Sequence, residues 1–331
     1  MWNVTTGLTS RRPLLSVEGL NTYLFTKSGV LKAVDDVSFS IDHGQCLGLV
    51  GESGSGKSMT CLSIIQLLPE PVAKIVGGSV VFDGEELVGK SRSEMRKYCG
   101  RRMFLILQDP MTSLNPSFTI GGQVLEAVRL RYRGPAREAW ERVVSALRAV
   151  GIPAARQRAH SYPHQMSGGM RQRVVGAMAV AGEADLLIAD EPTTALDVTI
   201  QAEYLALLQE LQREKNMTVL FVTHDLGIVA HMCDRVAVMY AGKIVEFADV
   251  LDLFDRPAHP YTRALLDSVP TVECKATRLP AIDGQPPDLR GLPPGCSFAP
   301  RCRHAFEMCR KEAPPALALG PNRWARCWLV Q

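Results

Sequence analysis

The spacing of apolar positions changes several times along the chain, and each change marks an element. Leu14 to Val17 is a short β-rich piece, and Ala33 to Ile41 alternates apolar with polar residues around Val34, Val37, Phe39 and Ile41. A period of two buries one face of a strand and leaves the other wet, so this region predicts a leading antiparallel sheet. Cys46 to Val50 is instead continuously apolar; Gly51 to Ser58 is a glycine-rich loop, and Met59 to Leu68 an apolar helix stopped by Pro69. Ser79 to Phe82, closed by the turn Asp83-Gly84, and Met103 to Leu107 read as further strands. From Ile120 the spacing becomes helical. Ile120 to Arg131 forms one helix and Pro135 to Val150 another, with proline in its first turn and Gly151 just beyond its end. Leu186 to Ala189 and Val219 to Thr223 are again wholly apolar, separated by the helical pattern of Ile200 to Arg213. Strands buried on both faces and alternating with helices predict a parallel sheet under a helical cover.

After about Ala258 the pattern dissolves. Eight prolines between Pro257 and Pro294 interrupt everything except a helix from Tyr261 to Ser268. The chain therefore reads as an α/β domain over 1–258, with a helical subdomain over about 109–181, followed by a C-terminal extension over 259–331. Composition adds little to this. The 331 residues, 46% hydrophobic and 21% charged, suit an ordinary globular protein, and a net charge of +3 is too small to imply a nucleic-acid partner. No run of about 20 apolar residues is available to span a bilayer and no secretory leader is evident, so the chain is expected in the cytosol. Of nine cysteines, Cys46, Cys61, Cys99, Cys233 and Cys274 are scattered, whereas Cys296, Cys302, Cys309 and Cys327 are concentrated near the end.

Candidate chemistry begins in the glycine-rich loop. Gly51-Glu52-Ser53-Gly54-Ser55-Gly56-Lys57-Ser58 satisfies the phosphate-loop pattern between a strand and a helix, where glycines let backbone N–H groups converge on phosphate oxygens. Lys57 is expected to reach the β- and γ-phosphates of ATP, and the Ser58 hydroxyl to ligate Mg²⁺. Leu186 to Ala189 deliver Asp190 and Glu191 at the carboxyl end of a buried strand, where open α/β sheets bind ligands. Asp190 is expected to hold Mg²⁺ and Glu191 to activate the hydrolytic water.

Between these motifs stands Ser167-Gly168-Gly169-Met-Arg-Gln172, and with it the chain resembles the ATP-binding-cassette (ABC) family, whose signature is a Ser-Gly-Gly segment opening a helix. The resemblance runs from the leading sheet to the strand Val236 to Tyr240. It implies a phosphate-loop NTPase cassette with a mostly parallel core sheet, an antiparallel β subdomain and a helical subdomain. Gln108 matches the glutamine that opens the helical subdomain and reaches the nucleotide's Mg²⁺, Thr194-Ala-Leu-Asp197 the segment after the catalytic glutamate, and His224 the switch histidine. The family also carries an upstream aromatic that stacks on adenine. Here the aligned position is Leu24, flanked by Tyr23 and Phe25; either flank could rotate in, and Tyr23 is taken as the contact. By the same resemblance two cassettes close head-to-tail, so that Ser167 and Gly169 of one complete the ATP site of the other.

The tail narrows the resemblance. His259-Pro-Tyr-Thr-Arg-Ala-Leu-Leu266, Pro300-Arg301-Cys302 and the four late cysteines are similar to the C-terminal extension of bacterial oligopeptide, dipeptide and nickel importers. Four thiols in a proline-rich segment with little core of its own suggest a metal crosslink. Spacing alone allows zinc as well as iron, and the resemblance implies a 4Fe-4S cluster on Cys296, Cys302, Cys309 and Cys327. His304 is a weak further ligand candidate. The resemblance also implies a homologous sister ATPase, two membrane permease subunits and an external solute-binding protein, with this chain at the cytoplasmic face of the inner membrane. A soluble non-transport ABC ATPase, or an iron-sulfur sensor regulated by ATP, is the alternative. Because no tail cysteine belongs to a nucleotide motif, ATP hydrolysis is expected to survive substitution of any of them.

Overall fold

The computed structural model of the chain describes residues 12–108, 113–194, 196–269 and 282–331; Cys274 and Ala195 lie outside them. Its smaller sheet is antiparallel, with β1 (Leu15–Thr26), β2 (Gly29–Ile41), β4 (Ala73–Phe82) and β5 (Glu85–Glu86) in the order β2-β1-β4-β5. The strand expected at Leu14 to Val17 is thus much longer, because β2 and β4 satisfy its backbone on both sides as far as Leu24.

The larger sheet has eight strands in the order β11-β12-β10-β9-β3-β8-β7-β6. Its parallel part comprises β3 (Cys46–Val50), β6 (Met103–Ile106), β7 (Leu186–Asp190), β8 (Thr218–Thr223) and β9 (Arg235–Tyr240). Every residue of β3, β7, β8 and β9 is buried, as their unbroken apolar runs require. Three antiparallel strands extend it: β10 (Lys243–Asp249), β11 (Leu317–Gly320) and β12 (Arg323–Ala325). β10 was not expected. It folds back on β9 through Ala241 and Gly242, both with positive φ (47° and 84°), the two-residue turn that matches strand twist.

The helices are α1 (Lys57–Ile64), α2 (Arg92–Met95), α3 (Ile120–Arg131), α4 (Ala136–Ala149), α5 (Ala155–Arg158), α6 (Gly168–Ala181), α7 (Val198–Lys215), α8 (Leu226–Met232), α9 (Val250–Asp255), α10 (Pro260–Asp267) and α11 (Glu307–Lys311). α1 starts earlier and stops earlier than its apolar pattern suggests. Gln66 enters the left-handed region at φ 53°, and Leu67 turns back to donate to the Leu62 carbonyl. Among the described residues no helix is long and apolar enough to cross a membrane.

One core lies between the two sheets, joining Leu20, Val37 and Phe82 to Leu49, Ile188 and Val222. A second fills the helical region, where Ile120 and Val124 of α3 meet Val143 and Leu147 of α4 and Val174 of α6. Each such side chain contributes about 2 kcal/mol when fully buried. Among the described residues the tail has no separate core: Tyr261 and Phe298 join Tyr240, Val245 and Leu253 of the main body. Glu246 of β10 accepts from the N–H groups of Ala258 (2.7 Å) and His259 (2.8 Å), fixing where the tail departs.

Candidate nucleotide site

The phosphate loop leaves β3 and is pressed against backbone on two sides. A Cβ on Gly51 would lie 2.1 Å from the Met239 carbonyl oxygen, and one on Gly56, whose φ is 108°, 2.1 Å from that of Ala33, so only glycine fits either position. No side chain caps α1, which leaves its first-turn N–H groups facing the loop as anion donors. Lys57 is 5% exposed and donates to the carbonyls of Gly51 (2.7 Å) and Glu52 (3.0 Å). Burial pushes its pKa down, and the carboxylates of Glu191 and Asp190 push back.

Asp190 ends β7 beside this loop. Burial raises its pKa, while its hydrogen bond with the Ser58 side chain opposes the shift. Its Oδ1 is buried without a partner. An orphaned carboxylate oxygen next to a hydroxyl is a hard oxygen pair of the kind Mg²⁺ takes. Ser55 Oγ is buried and likewise unpaired.

Glu191 stands one residue further, in the left-handed region at φ 47°, with its N–H donating to the Val222 carbonyl. Three residues converge on its carboxylate. Gln108 Nε2 donates to Oε2 at 2.9 Å, Thr194 Oγ1 donates to the same oxygen at 3.1 Å, and His224 Nδ1 lies 3.3 Å from Oε1. Three sequence-predicted residues from the ends of three different strands, β6, β7 and β8, therefore meet at one carboxylate. Gln108, expected on Mg²⁺, is here turned to Glu191. Thr194 acts on Glu191 through a hydrogen bond that motif spacing does not reveal.

Ser167 caps α6, its Oγ accepting from Met170 N–H at 3.3 Å, and both Ser167 and Gly168 are exposed. A Cβ on Gly169 would sit 2.5 Å from Cγ2 of Ile200. Asp197 caps α7, accepting from Ile200 N–H at 3.0 Å, so the signature and the segment after Glu191 meet at Ile200. Tyr23 is engaged within the small sheet: its hydroxyl donates to Asp35 at 2.9 Å, Lys32 Nζ lies 5.6 Å from its ring centre, and burial together with Asp35 pushes its pKa up to about 12. Phe25 is 45% exposed.

Cys296, Cys302, Cys309 and Cys327 line a single small cavity with His259, Phe298 and His304. Burial raises the thiol pKa values of Cys296, to about 11, and of Cys302 and Cys327. Among the described residues no three His, Cys, Asp or Glu side chains converge as ligands of one ion.

Over residues 34–194 the chain matches the ABC transporter family, and over 245–309 the C-terminal region of oligopeptide/dipeptide transporters. It is 51% identical over 316 residues to a probable peptide ABC transporter ATP-binding protein of Sinorhizobium fredii, covering 95% of this chain and 94% of that one. The chain belongs to the ABC transporter ATPases. It is also 47% identical to the dipeptide transport ATP-binding protein DppD of Bacillus subtilis, with 96% and 94% of the two chains covered. Among solved ABC cassettes, the dimeric post-hydrolysis state of MJ0796 bound to ADP and phosphate superposes with a TM-score of 0.64 at 26% identity, over 71% of this chain and 98% of that one. As an ABC ATPase the chain couples ATP hydrolysis to transport, and the expected α/β cassette is the fold it adopts.

Proposed function

We propose that the chain energises import of peptides, or of a related small solute such as nickel, across the bacterial inner membrane. One observation carries this: a full set of ABC nucleotide motifs and the oligopeptide/dipeptide C-terminal region occur in the same chain. In the proposed cycle the phosphate loop and Lys57 bind the triphosphate of ATP. Ser58 and the unpaired oxygen of Asp190 would hold Mg²⁺, which offsets phosphate charge. Glu191 takes a proton from the attacking water, and Gln108, Thr194 and His224 hold the carboxylate in place for it. Ser167, Gly168 and Gly169 open a helix, the first two exposed, and serve the ATP held by a second, homologous ATPase subunit. Tyr23 is assigned to the adenine edge of the site.

The division into 1–258 and 259–331, two permease partners, an external solute-binding protein and a peripheral place at the cytoplasmic face belong to the same proposal. So does a 4Fe-4S cluster on Cys296, Cys302, Cys309 and Cys327. Its support is that all four thiols line one small cavity, with zinc as the alternative occupant. The test is uptake: vesicles carrying the transporter with its binding protein should accumulate labelled di- or oligopeptide on ATP addition, and Lys57→Ala should abolish it. Uptake of neither peptides nor nickel would overturn the assignment.

A further inference from the structure

Glu52, the second residue of the phosphate loop, is gripped by the tail at two points. Its N–H donates to the Tyr261 hydroxyl at 2.9 Å. Its carboxylate receives both terminal nitrogens of Arg301, Nη1 at 2.7 Å and Nη2 at 3.0 Å. The Arg301 side chain is 4% exposed. It is itself held, since Nε donates to the Asp283 carbonyl at 2.9 Å and Nη1 to the Tyr240 hydroxyl at 3.3 Å. Tyr261 packs against both Tyr240 and Phe298, with ring centres 4.6 and 5.4 Å away. A two-pronged, mostly buried charge-assisted pair is far stronger than an ordinary surface ion pair.

Glu52 passes that grip inward. Its carbonyl accepts from Lys57 Nζ at 3.0 Å and from Ser55 N–H at 3.2 Å, so a shift of Glu52 moves the ammonium and the loop backbone that face the phosphates. Its own N–H, spent on Tyr261, is withdrawn from anion binding. We propose that Tyr261 and Arg301 are positioning residues for ATP binding: through Glu52 they set the shape of the phosphate loop, and the C-terminal extension thereby controls the affinity of the site for the triphosphate.

The inference rests on residues 51–58 being the phosphate loop for ATP. The experiment measures MgATP affinity of the full chain by titration, and KM and kcat for ATP in the assembled transporter. Arg301→Ala should raise Kd and KM about tenfold with kcat kept within about twofold, because a charge-assisted anchor of the loop is lost while the groups around Glu191 stay. Arg301→Lys should recover only part, since an ammonium cannot form the two-pronged pair. Tyr261→Phe removes one oxygen and no packing, so it folds like the parent and should raise KM about threefold. Glu52→Ala combined with Arg301→Ala should be no worse than Arg301→Ala alone. Unchanged KM in both Tyr261→Phe and Arg301→Ala would overturn the proposal, as would full additivity in the double variant. Lys57→Ala binding MgATP like the parent would overturn the phosphate-loop assignment itself, a separate failure.

Discussion

The role proposed for Glu191 rests on what surrounds its carboxylate. Gln108 and Thr194 both donate to one oxygen, while the other lies 3.3 Å from His224. Only 11% of the Glu191 side chain is exposed. A carboxylate held by three partners loses little on reorientation when water arrives, so in the role proposed for it as base it should matter more to chemistry than to binding. Glu191→Gln keeps the shape and most of the hydrogen bonds but cannot take a proton. Turnover should fall by about two to four orders of magnitude while MgATP affinity stays within a few-fold, measured by phosphate release and nucleotide titration. Thr194→Val removes one donor at constant volume. Steady-state turnover should drop about threefold to tenfold with KM nearly unchanged, the mark of a group that acts through Glu191.

At the scale of elements, strands and helices with a clean period were legible and their neighbours were not. Cys46 to Val50 and Val219 to Thr223 were placed to the residue or nearly so, because a strand buried on both faces has no polar positions to blur it. β11 and β12 escaped notice because an edge pair of four and three residues carries too short a pattern to read. Their effect is nonetheless large. β12 covers the open edge of β10, and the Trp324 ring stacks on Phe247 at 6.0 Å with 8° between planes. Trp324→Ala should cost about 2 kcal/mol, read as a lower urea midpoint, through lost burial and the lost ring pair. The uncovered edge should also raise aggregation, measurable by light scattering during refolding.

Across the whole molecule, the cassette and the tail are interlocked rather than strung together. Tail residues lie on the edge of the main sheet, in the aromatic core beside Tyr240 and on the phosphate loop itself. The cysteine cavity sits within this junction, with Cys302 next in the chain to Arg301. Protein purified without oxygen should be brown and hold about four irons per chain, by metal analysis and visible absorption. One zinc per chain would exclude the cluster. Replacing Cys309 by Ser should lower iron content and speed proteolysis after Pro286, since three remaining ligands hold a metal less tightly.

By itself the sequence determined the fold class and marked the candidate nucleotide residues, because each rests on local chemistry. A loop that must cradle phosphate needs glycines at fixed offsets, and a strand that must deliver carboxylates needs an apolar run before them. Four cysteines in a poor core likewise mark themselves. Only the tertiary structure decided which residues act on one another across long separations. Gln108 and His224 both point at Glu191 because parallel strands end side by side. Glu52 pairs with Arg301, 249 positions away. Nothing in the spacing of either residue encodes that pair, since its partners are brought together by the packing of Tyr240, Tyr261 and Phe298 and not by any local period.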